Sequence, residues 1–155
     1  MMKKEMRRKD CELTTTEAKE ILQNGKFGIM SVIGDDEYPY GVPLHYVMID
    51  NRLYFHCTAE GGYKVSCLER NSKICFTVVE TEDGITGRSA VFFGTAVCVP
   101  EKREKVLEKL IEKFVPKIGW EQAKSGIPFS KDSVCAYELS IEQLTAKLIS
   151  KPTGK

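Results

Sequence analysis

The sequence lacks the long apolar run of about eighteen residues that a membrane-spanning helix needs. Its start is rich in lysine and arginine, but the apolar core of a secretory signal does not follow. The 23 basic and 22 acidic residues leave a formal net charge of +1, too small a field to hold a nucleic-acid backbone. We therefore expect a cytoplasmic protein that engages neither membrane nor nucleic acid.

Two nucleotide-binding motifs are also missing, because neither G-x-x-x-x-G-K-[ST] nor G-x-G-x-x-G occurs anywhere in the chain. The six cysteines include no C-x-x-C pair, and four of them lie within apolar runs of strand or helix character. This spacing predicts reduced, buried thiols and not a disulfide framework or a metal site. The cysteines are Cys11, Cys57, Cys67, Cys75, Cys98 and Cys135.

What remains is the composition of an ordinary globular domain, with 42% hydrophobic and 29% charged residues in a chain of 155. We expect a single domain over residues 1–155, with residues 1–12 forming a flexible, solvated arm. Apolar runs of strand character follow one another at short spacing. They span residues 27–34, 38–50, 52–57, 73–81, 89–99 and 133–150.

Helical signals are fewer. Thr14 and Glu17 have the spacing of a capping box and predict a short helix that ends near Asn24–Gly25. A second helix is expected over about 62–70. Pro100 introduces a third, whose apolar stripe should pack on the protein's own core, while residues 116–131 are expected to form a loop. The stripe comprises Val106, Leu107, Leu110, Ile111 and Phe114. The fold class is therefore mainly β with added helices, a small antiparallel barrel.

The only two histidines are brought together by a predicted hairpin. If Asp50-Asn51 forms a two-residue turn, Ile49 faces Arg52, and His45 lies opposite His56. That register separates an inward apolar set from an outward set that contains both histidines. The inward set is Leu44, Tyr46, Met48, Leu53, Phe55 and Cys57, and the outward set is Pro43, His45, Val47, Tyr54 and His56.

Two interpretations of the histidine pair stay open at this point. A metal pair would need a third ligand, and the nearest candidate, Cys57, points to the opposite face. Alternatively, His45 and His56 are partly exposed and share no task.

A glycine-lysine turn follows the second histidine in "LYFHCTAEGGYK" (53–64). Gly62 precedes a helix whose first N–H groups are free, Lys64 adds a full charge, and Thr58 offers a hydroxyl, so the segment could seat a phosphate. Plain turn chemistry is the alternative. Arg88 and Ser89 enter a strand from a loop and could also grip a phosphate, or be surface residues at a strand edge.

Four segments in register resemble one known family. They are "YPYGVPLHYV", "LYFHCTAEGGYK", "RNSKICFTV" and "GRSAVFFGTA". In order and spacing the chain resembles the pyridoxamine 5′-phosphate oxidase-like FMN-binding split barrels. The similarity is greatest to the nitroimidazole-resistance (Nim-type) branch, in which "MRRKD" near the start is also typical. It extends over about residues 6–148.

The resemblance implies a six-stranded antiparallel split β-barrel that forms a homodimer, with FMN in each of two clefts at the subunit interface. It places His56 beside the flavin ring, and Thr58, Gly62 and Lys64 near the phosphate. It has Arg88 and Ser89 grip the cofactor as well. The strand that lines the ring supplies Pro43, Leu44 and His45.

The function implied is that of an FMN-dependent oxidoreductase, a reductase that passes electrons to a small acceptor such as a 5-nitroimidazole. NAD(P)H or another donor would reduce the flavin, and His56 would be the catalytic residue that orients the acceptor and donates a proton. Two alternatives stay open, a flavin-binding protein without turnover and a haem-binding split barrel in which a histidine is the axial ligand. Trp120 could cover either the cleft or the partner subunit.

Overall fold

A computed structural model describes residues 4–150 of the chain. One antiparallel sheet dominates it, with the strand order β2-β1-β5-β6-β7-β4-β3. Its strands are β1 (Phe27–Ile33), β2 (Pro39–His45), β3 (Val47–Ile49), β4 (Arg52–Thr58), β5 (Lys73–Thr81), β6 (Gly87–Cys98) and β7 (Val134–Ile149). The two edge strands, β2 and β3, are consecutive in the chain, so the sheet curls into a split barrel. The predicted fold class is confirmed.

The sheet has seven strands where six were expected, because the run 38–50 is interrupted at Tyr46. The side chain of Tyr46 is fully buried, and its hydroxyl donates to the carbonyl of Leu22 at 2.7 Å. At the interruption, Lys113 Nζ donates to the carbonyl of Tyr46 at 2.9 Å and to that of Gly25 at 2.5 Å. A lysine from a distant helix thus satisfies carbonyls that lack a ladder partner there.

Four α-helices accompany the sheet: α1 (Thr15–Asn24), α2 (Tyr63–Arg70), α3 (Arg103–Phe114) and α4 (Trp120–Ser125). The capping box of α1 forms as predicted, since Glu17 N donates to Thr14 Oγ1 and Thr14 N donates to the Glu17 carboxylate. Short 3-10 turns lie at Lys9–Cys11, Pro100–Lys102, Lys117–Gly119 and Ile127–Ser130.

The prediction of a loop over 116–131 was wrong, because this segment contains α4 and two 3-10 turns. A helix of six residues has little stability of its own, so tertiary contacts must support it. The Trp120 indole N–H donates to the carbonyl of Val115 at 2.8 Å, and Lys124 forms an ion pair with Glu112 of α3 at 2.8 Å. Nothing in the local periodicity signals these contacts.

Two apolar clusters form the core. The larger fills the barrel and contains the predicted inward residues of the hairpin, with Tyr46, Leu53 and Phe55 at most 1% exposed. The smaller lies outside the barrel, where α3 covers β3, β4 and the start of β7. Val47 and Tyr54 pack there against Val106 and Leu110. The predicted separation of inward and outward faces is confirmed, as is packing of the α3 stripe on the protein's own core.

The six cysteines are all free thiols, but not all are buried as expected. Cys57 and Cys67 are buried, whereas Cys98 is exposed near the end of β6. Within residues 4–150, no helix combines the length and apolar character of a membrane span.

The expected N-terminal arm is described in part. In that part, Glu12 forms a bridge with Lys147 of β7, and directly after the arm Leu13 N donates to Ala146 O at 2.9 Å. Residues 1–3 lie outside the described residues, and the flexibility of the arm stays a prediction.

Candidate functional site

His45 and His56 line one pocket on the outer side of the barrel. The prediction that they lie directly opposite each other in the ladder was wrong, because the β3–β4 pairing ends at Val47 and Tyr54 and His56 pairs with Ala136. The turn forms with the expected pairing, Val47 opposite Tyr54 and Ile49 opposite Arg52. Its central residues, Asp50 and Asn51, have φ of 49° and 62°, the left-handed values of a type I′ turn. His45 itself pairs with Phe27 of β1, yet its side chain reaches the pocket that His56 enters from β4.

This histidine pocket has a volume of about 320 Å³ and walls that are almost entirely apolar. Helix α3 supplies one wall, and α4 with the following 3-10 turn supplies another. Lining residues include Leu107, Ile111, Phe114, Ala123 and Ile127, with the Ser130 hydroxyl as a polar group besides the two imidazoles. Its size lies at the lower end of the range for small-molecule sites.

The electrostatics of the pocket favour a neutral His56. Burial lowers the pKa of His56 below its ordinary value of 6.5, and the nearby charges of His45 and Lys64 lower it further. The side chain is nonetheless open to solvent on one side. The ring of His45 lies 4.8 Å, centroid to centroid, from that of Phe114, which holds it against α3. A neutral imidazole can donate a hydrogen bond to a ligand without adding charge to an apolar cavity.

The glycine-lysine turn lies beside His56 in sequence and near it in space. Gly61 has φ +73°, and a Cβ there would lie 2.8 Å from Cβ of Val65, so glycine is required. Thr58 Oγ1 donates to the Gly61 carbonyl at 3.3 Å, which occupies the hydroxyl proton in the turn. No atom lies within 4 Å of a Cβ built on Gly62, and Lys64 makes no ion pair among residues 4–150. Gly62 thus faces open space at the start of α2, and the half-buried Lys64 is not neutralised by a carboxylate among these residues.

Arg88 and Ser89 are adjacent on β6 and therefore project to opposite faces of the sheet. The Arg88 guanidinium is engaged within the chain, donating to Glu80 at 2.8 and 3.1 Å and lying 3.7 Å from Glu20. Ser89 is 5% exposed and lines a separate cavity of about 300 Å³ that also includes Lys147. These two residues do not form one grip.

The structure also separates Arg88 from Lys64 within one chain. Arg88 pairs with Leu148 of β7, whereas Thr58, which precedes the Lys64 turn, pairs with Val134. Those partners are fourteen residues apart on β7, about 45 Å along an extended strand. Of the strand expected to line the flavin ring, Pro43 and His45 face outward, while Leu44 packs toward the barrel core.

Arg103 is a residue of this region that sequence reasoning missed. It is 5% exposed, and its guanidinium donates to the carbonyls of Val134 and Ile127, both at 2.9 Å, and to the Ser130 hydroxyl. It thereby ties the second wall of the pocket to α3. The signal was present, because Arg103 lies three residues before Val106 on the apolar stripe of α3.

Metal chemistry receives no support from the described part of the chain, in which no group of three or more His, Cys, Asp or Glu side chains is placed to hold an ion. The histidine pair has no third ligand there.

The chain belongs to the pyridoxamine 5′-phosphate oxidase family, which matches residues 14–148. None of the curated protein sequences matches it. Among solved structures, it is similar to a candidate 5-nitroimidazole antibiotic resistance protein from Bacteroides thetaiotaomicron VPI-5482, with TM-score 0.71 and 17% identity over 88% of this chain and 86% of that one. A conserved hypothetical protein from Mycobacterium tuberculosis gives TM-score 0.79 and 18% identity over 97% and 94% of the two chains. An FAD and haem binding protein from Mycobacterium smegmatis gives 0.70 and 16% over 92% and 75%. At these identities the structural likeness concerns the fold.

Proposed function

We propose that this protein is an FMN-binding flavoprotein, a reductase that transfers electrons from the reduced flavin to a small aromatic acceptor such as a 5-nitroimidazole. The observation that carries the proposal is the histidine pocket, which combines an apolar cavity with two imidazoles beside a glycine-lysine turn. Family membership and the likeness to a candidate nitroimidazole resistance protein support it.

The residues present fit a phosphate-bearing cofactor in one region. Lys64 and the open N-terminus of α2 at Gly62 offer a cation and backbone N–H groups to an anion. His45, His56 and Pro43 would lie along the ring. Bound flavin would supply the redox chemistry, while the protein supplies binding, orientation and electrostatics.

The role we assign to His56 follows from its lowered pKa. A neutral imidazole at pH 7 orients a polar substituent of the acceptor by donating a hydrogen bond, and that hydrogen bond stabilises the negative charge that develops there. The apolar walls from α3 and α4 exclude water around the acceptor. They also favour an uncharged ring over a charged substrate.

A homodimer is part of this proposal, and the surface for it is the outer face of β1, β2 and β5. Phe27 is 59% exposed, Ile33 45% and Val79 54%, so the face presents a run of apolar side chains to solvent. His45 pairs with Phe27 at its edge, which puts the histidine pocket at the border of the proposed interface. A second copy could bring Ser89, whose buried side chain lies on the outer face of β6, toward the cleft next to Lys64.

The first experiment is an absorbance spectrum of the purified protein before and after addition of FMN, with FAD tested in parallel. Flavin bands that are lost in Lys64→Ala support the proposed site. Arg88→Ala shows whether the cation paired with Glu80 takes part as well, and Lys19→Ala, an exposed lysine on α1, is the control. A colourless protein that binds neither flavin would leave the family likeness as one of fold only.

Haem binding is the second candidate, favoured by two imidazoles in one apolar pocket. A Soret band that is lost in His45→Ala or His56→Ala would establish it. Reductase activity is tested separately, by anaerobic reduction of a 5-nitroimidazole with NAD(P)H as donor. A protein that binds flavin without turning over any such acceptor would be a flavin carrier or sensor.

A further inference from the structure

Three of the six cysteines gather at one end of the barrel, on the face opposite the histidines. Cys57 on β4 lies directly across from Cys135 on β7, and their Sγ atoms are 3.4 Å apart. Two residues farther along the same ladder, Ala59 N donates to Ser133 O at 2.9 Å. Because hydrogen-bonded pairs alternate in an antiparallel ladder, Cys57 and Cys135 also form such a pair, with Cα atoms about 5.5 Å apart. That spacing lies within the range of disulfides.

Cys98 completes the cluster from a third strand. Cys98 lies on β6, opposite Tyr137 of β7, and Tyr137 points to the same face of β7 as Cys135. Cys98 and Cys135 are therefore diagonal neighbours on one face, a separation that side chains can bridge. Cys57 is buried, Cys135 is partly exposed and Cys98 is exposed, so the cluster runs from the core to solvent.

The geometry points to Cys57 and Cys135 as a reversible dithiol–disulfide pair, with Cys98 as the thiol through which a low-molecular-weight disulfide oxidises it. This function is separate from the proposed flavin-ring pocket, because the side chain of Cys57 points to the opposite face of β4 from that of His56, although Cys135 Sγ lies 3.8 Å from the carbonyl of Thr58 next to the proposed phosphate seat. It also leaves the proposed dimer face untouched, since Cys98 is on the inward side of β6.

The reaction balances as three successive exchanges. The Cys98 sulfur attacks a small disulfide such as oxidised glutathione, forming a mixed disulfide and releasing one glutathione thiol. Cys135 then attacks the Cys98 sulfur and releases the second glutathione. Cys57 finally attacks Cys135, and the Cys98 thiol is regenerated. Two protein thiols lose two electrons and two protons, and the small disulfide becomes two thiols.

The order of the exchanges follows from exposure and from the thiol pKa values. Burial, followed by the contact with Cys135, raises the pKa of Cys57 to about 12, so Cys57 is a poor first nucleophile. Burial also raises the pKa of Cys98, although this thiol is open to solvent. Oxidation should therefore be slow at neutral pH and accelerate as the pH rises.

The test equilibrates the full chain in glutathione redox buffers, traps free thiols by alkylation and maps the peptides by mass spectrometry. Under oxidising buffer we expect two of the six thiols to disappear, one Cys57–Cys135 linkage to appear, and reduced glutathione to reverse it. Absence of that linkage, or its appearance only between different chains, would overturn the proposal.

Variants test the role of Cys98 as the entry thiol separately from the Cys57–Cys135 pair. Cys98→Ser should reach the same oxidised end point at least tenfold more slowly, because the exposed entry thiol is gone. An unchanged rate would remove the assigned role of Cys98. Cys135→Ser should abolish the intramolecular linkage of Cys57, whereas Cys75→Ser, a thiol on β5, is the matched control and should change neither rate nor end point.

Discussion

The imidazoles of His45 and His56 lie in one apolar pocket although their strands, β2 and β4, are not neighbours in the sheet. The strand is interrupted at Tyr46, between β2 and β3. His45 is the last residue of β2 and pairs with Phe27 of β1. The pocket thus lies under α3 and borders the exposed apolar face of β1, β2 and β5. This relationship underlies both the proposed acceptor site and the proposed interface.

The coupling of the two histidines can be measured directly. Burial is the larger cause of the lowered pKa of His56, and the charge of His45 lowers it further. His45→Ala should therefore raise the pKa of His56 part of the way toward its ordinary value of 6.5. An NMR titration is simple because the variant retains a single histidine. Lys19→Ala, an exposed lysine on α1, should leave the titration of His56 unchanged. A pKa that stays the same or falls in His45→Ala would contradict the proposed coupling.

His56→Ala should retain flavin and reduce the turnover of a nitro-aromatic acceptor about 100-fold, the usual loss when one hydrogen-bond donor to developing charge is removed. The loss should be smaller in His56→Gln if orientation of the acceptor dominates, since the amide can still donate a hydrogen bond. Flavin content from absorbance and turnover from anaerobic assays check the two parts. Equal turnover in wild type and His56→Ala would remove the catalytic role assigned to this residue.

Local chemistry explains why the hairpin turn and the outward side of its histidines could be predicted, although the direct pairing of His45 with His56 was not found. Asp50 and Asn51 tolerate the left-handed backbone that a two-residue turn requires, and the alternation of the flanking residues allows one register. The capping box at Thr14 was equally local. Such features depend on residues a few positions apart, which the sequence displays directly.

The features that could not be predicted depend on distant partners. The strand break at Tyr46 involves Lys113, which lies 67 residues away in the chain, and α4 is anchored through Trp120 and the ion pair of Lys124. Arg88 resembled a free phosphate ligand because its cross-strand partner, Glu80, becomes apparent only once the β5–β6 register is known.

Glu138→Gln should destabilise the protein in a pH-dependent way. Burial alone would raise the pKa of Glu138, but hydrogen bonds from Lys102, Tyr54 and Arg52 outweigh it and hold the pKa at about 2, below the ordinary 4.5. The stabilisation is therefore complete above pH 4.5 and is lost as the pH falls toward 2. We expect the variant to lose about 1–3 kcal/mol of unfolding free energy at pH 7.

Urea unfolding at pH 7, 4 and 3 measures this difference, which should shrink as the pH decreases. Glu142→Gln, an exposed carboxylate on the same strand, is the control and should behave like wild type. A loss for Glu138→Gln that is the same at all three pH values would mean that packing, and not the ionised carboxylate, stabilises this region.

Gly94→Ala should be the most damaging conservative change on β6. The β6–β7 register shifts between Phe93 and Gly94, and a Cβ on Gly94 would lie 1.7 Å from the carbonyl oxygen of Ser140. Because backbone fills that space, the two central strands must separate, at a cost of about 3 kcal/mol or more. Gly62→Ala is the matched control, since no atom lies within 4 Å of its Cβ and its φ of −173° suits any residue. Thermal unfolding should therefore show a large loss for Gly94→Ala and almost none for Gly62→Ala, and equal effects would contradict the β6–β7 packing.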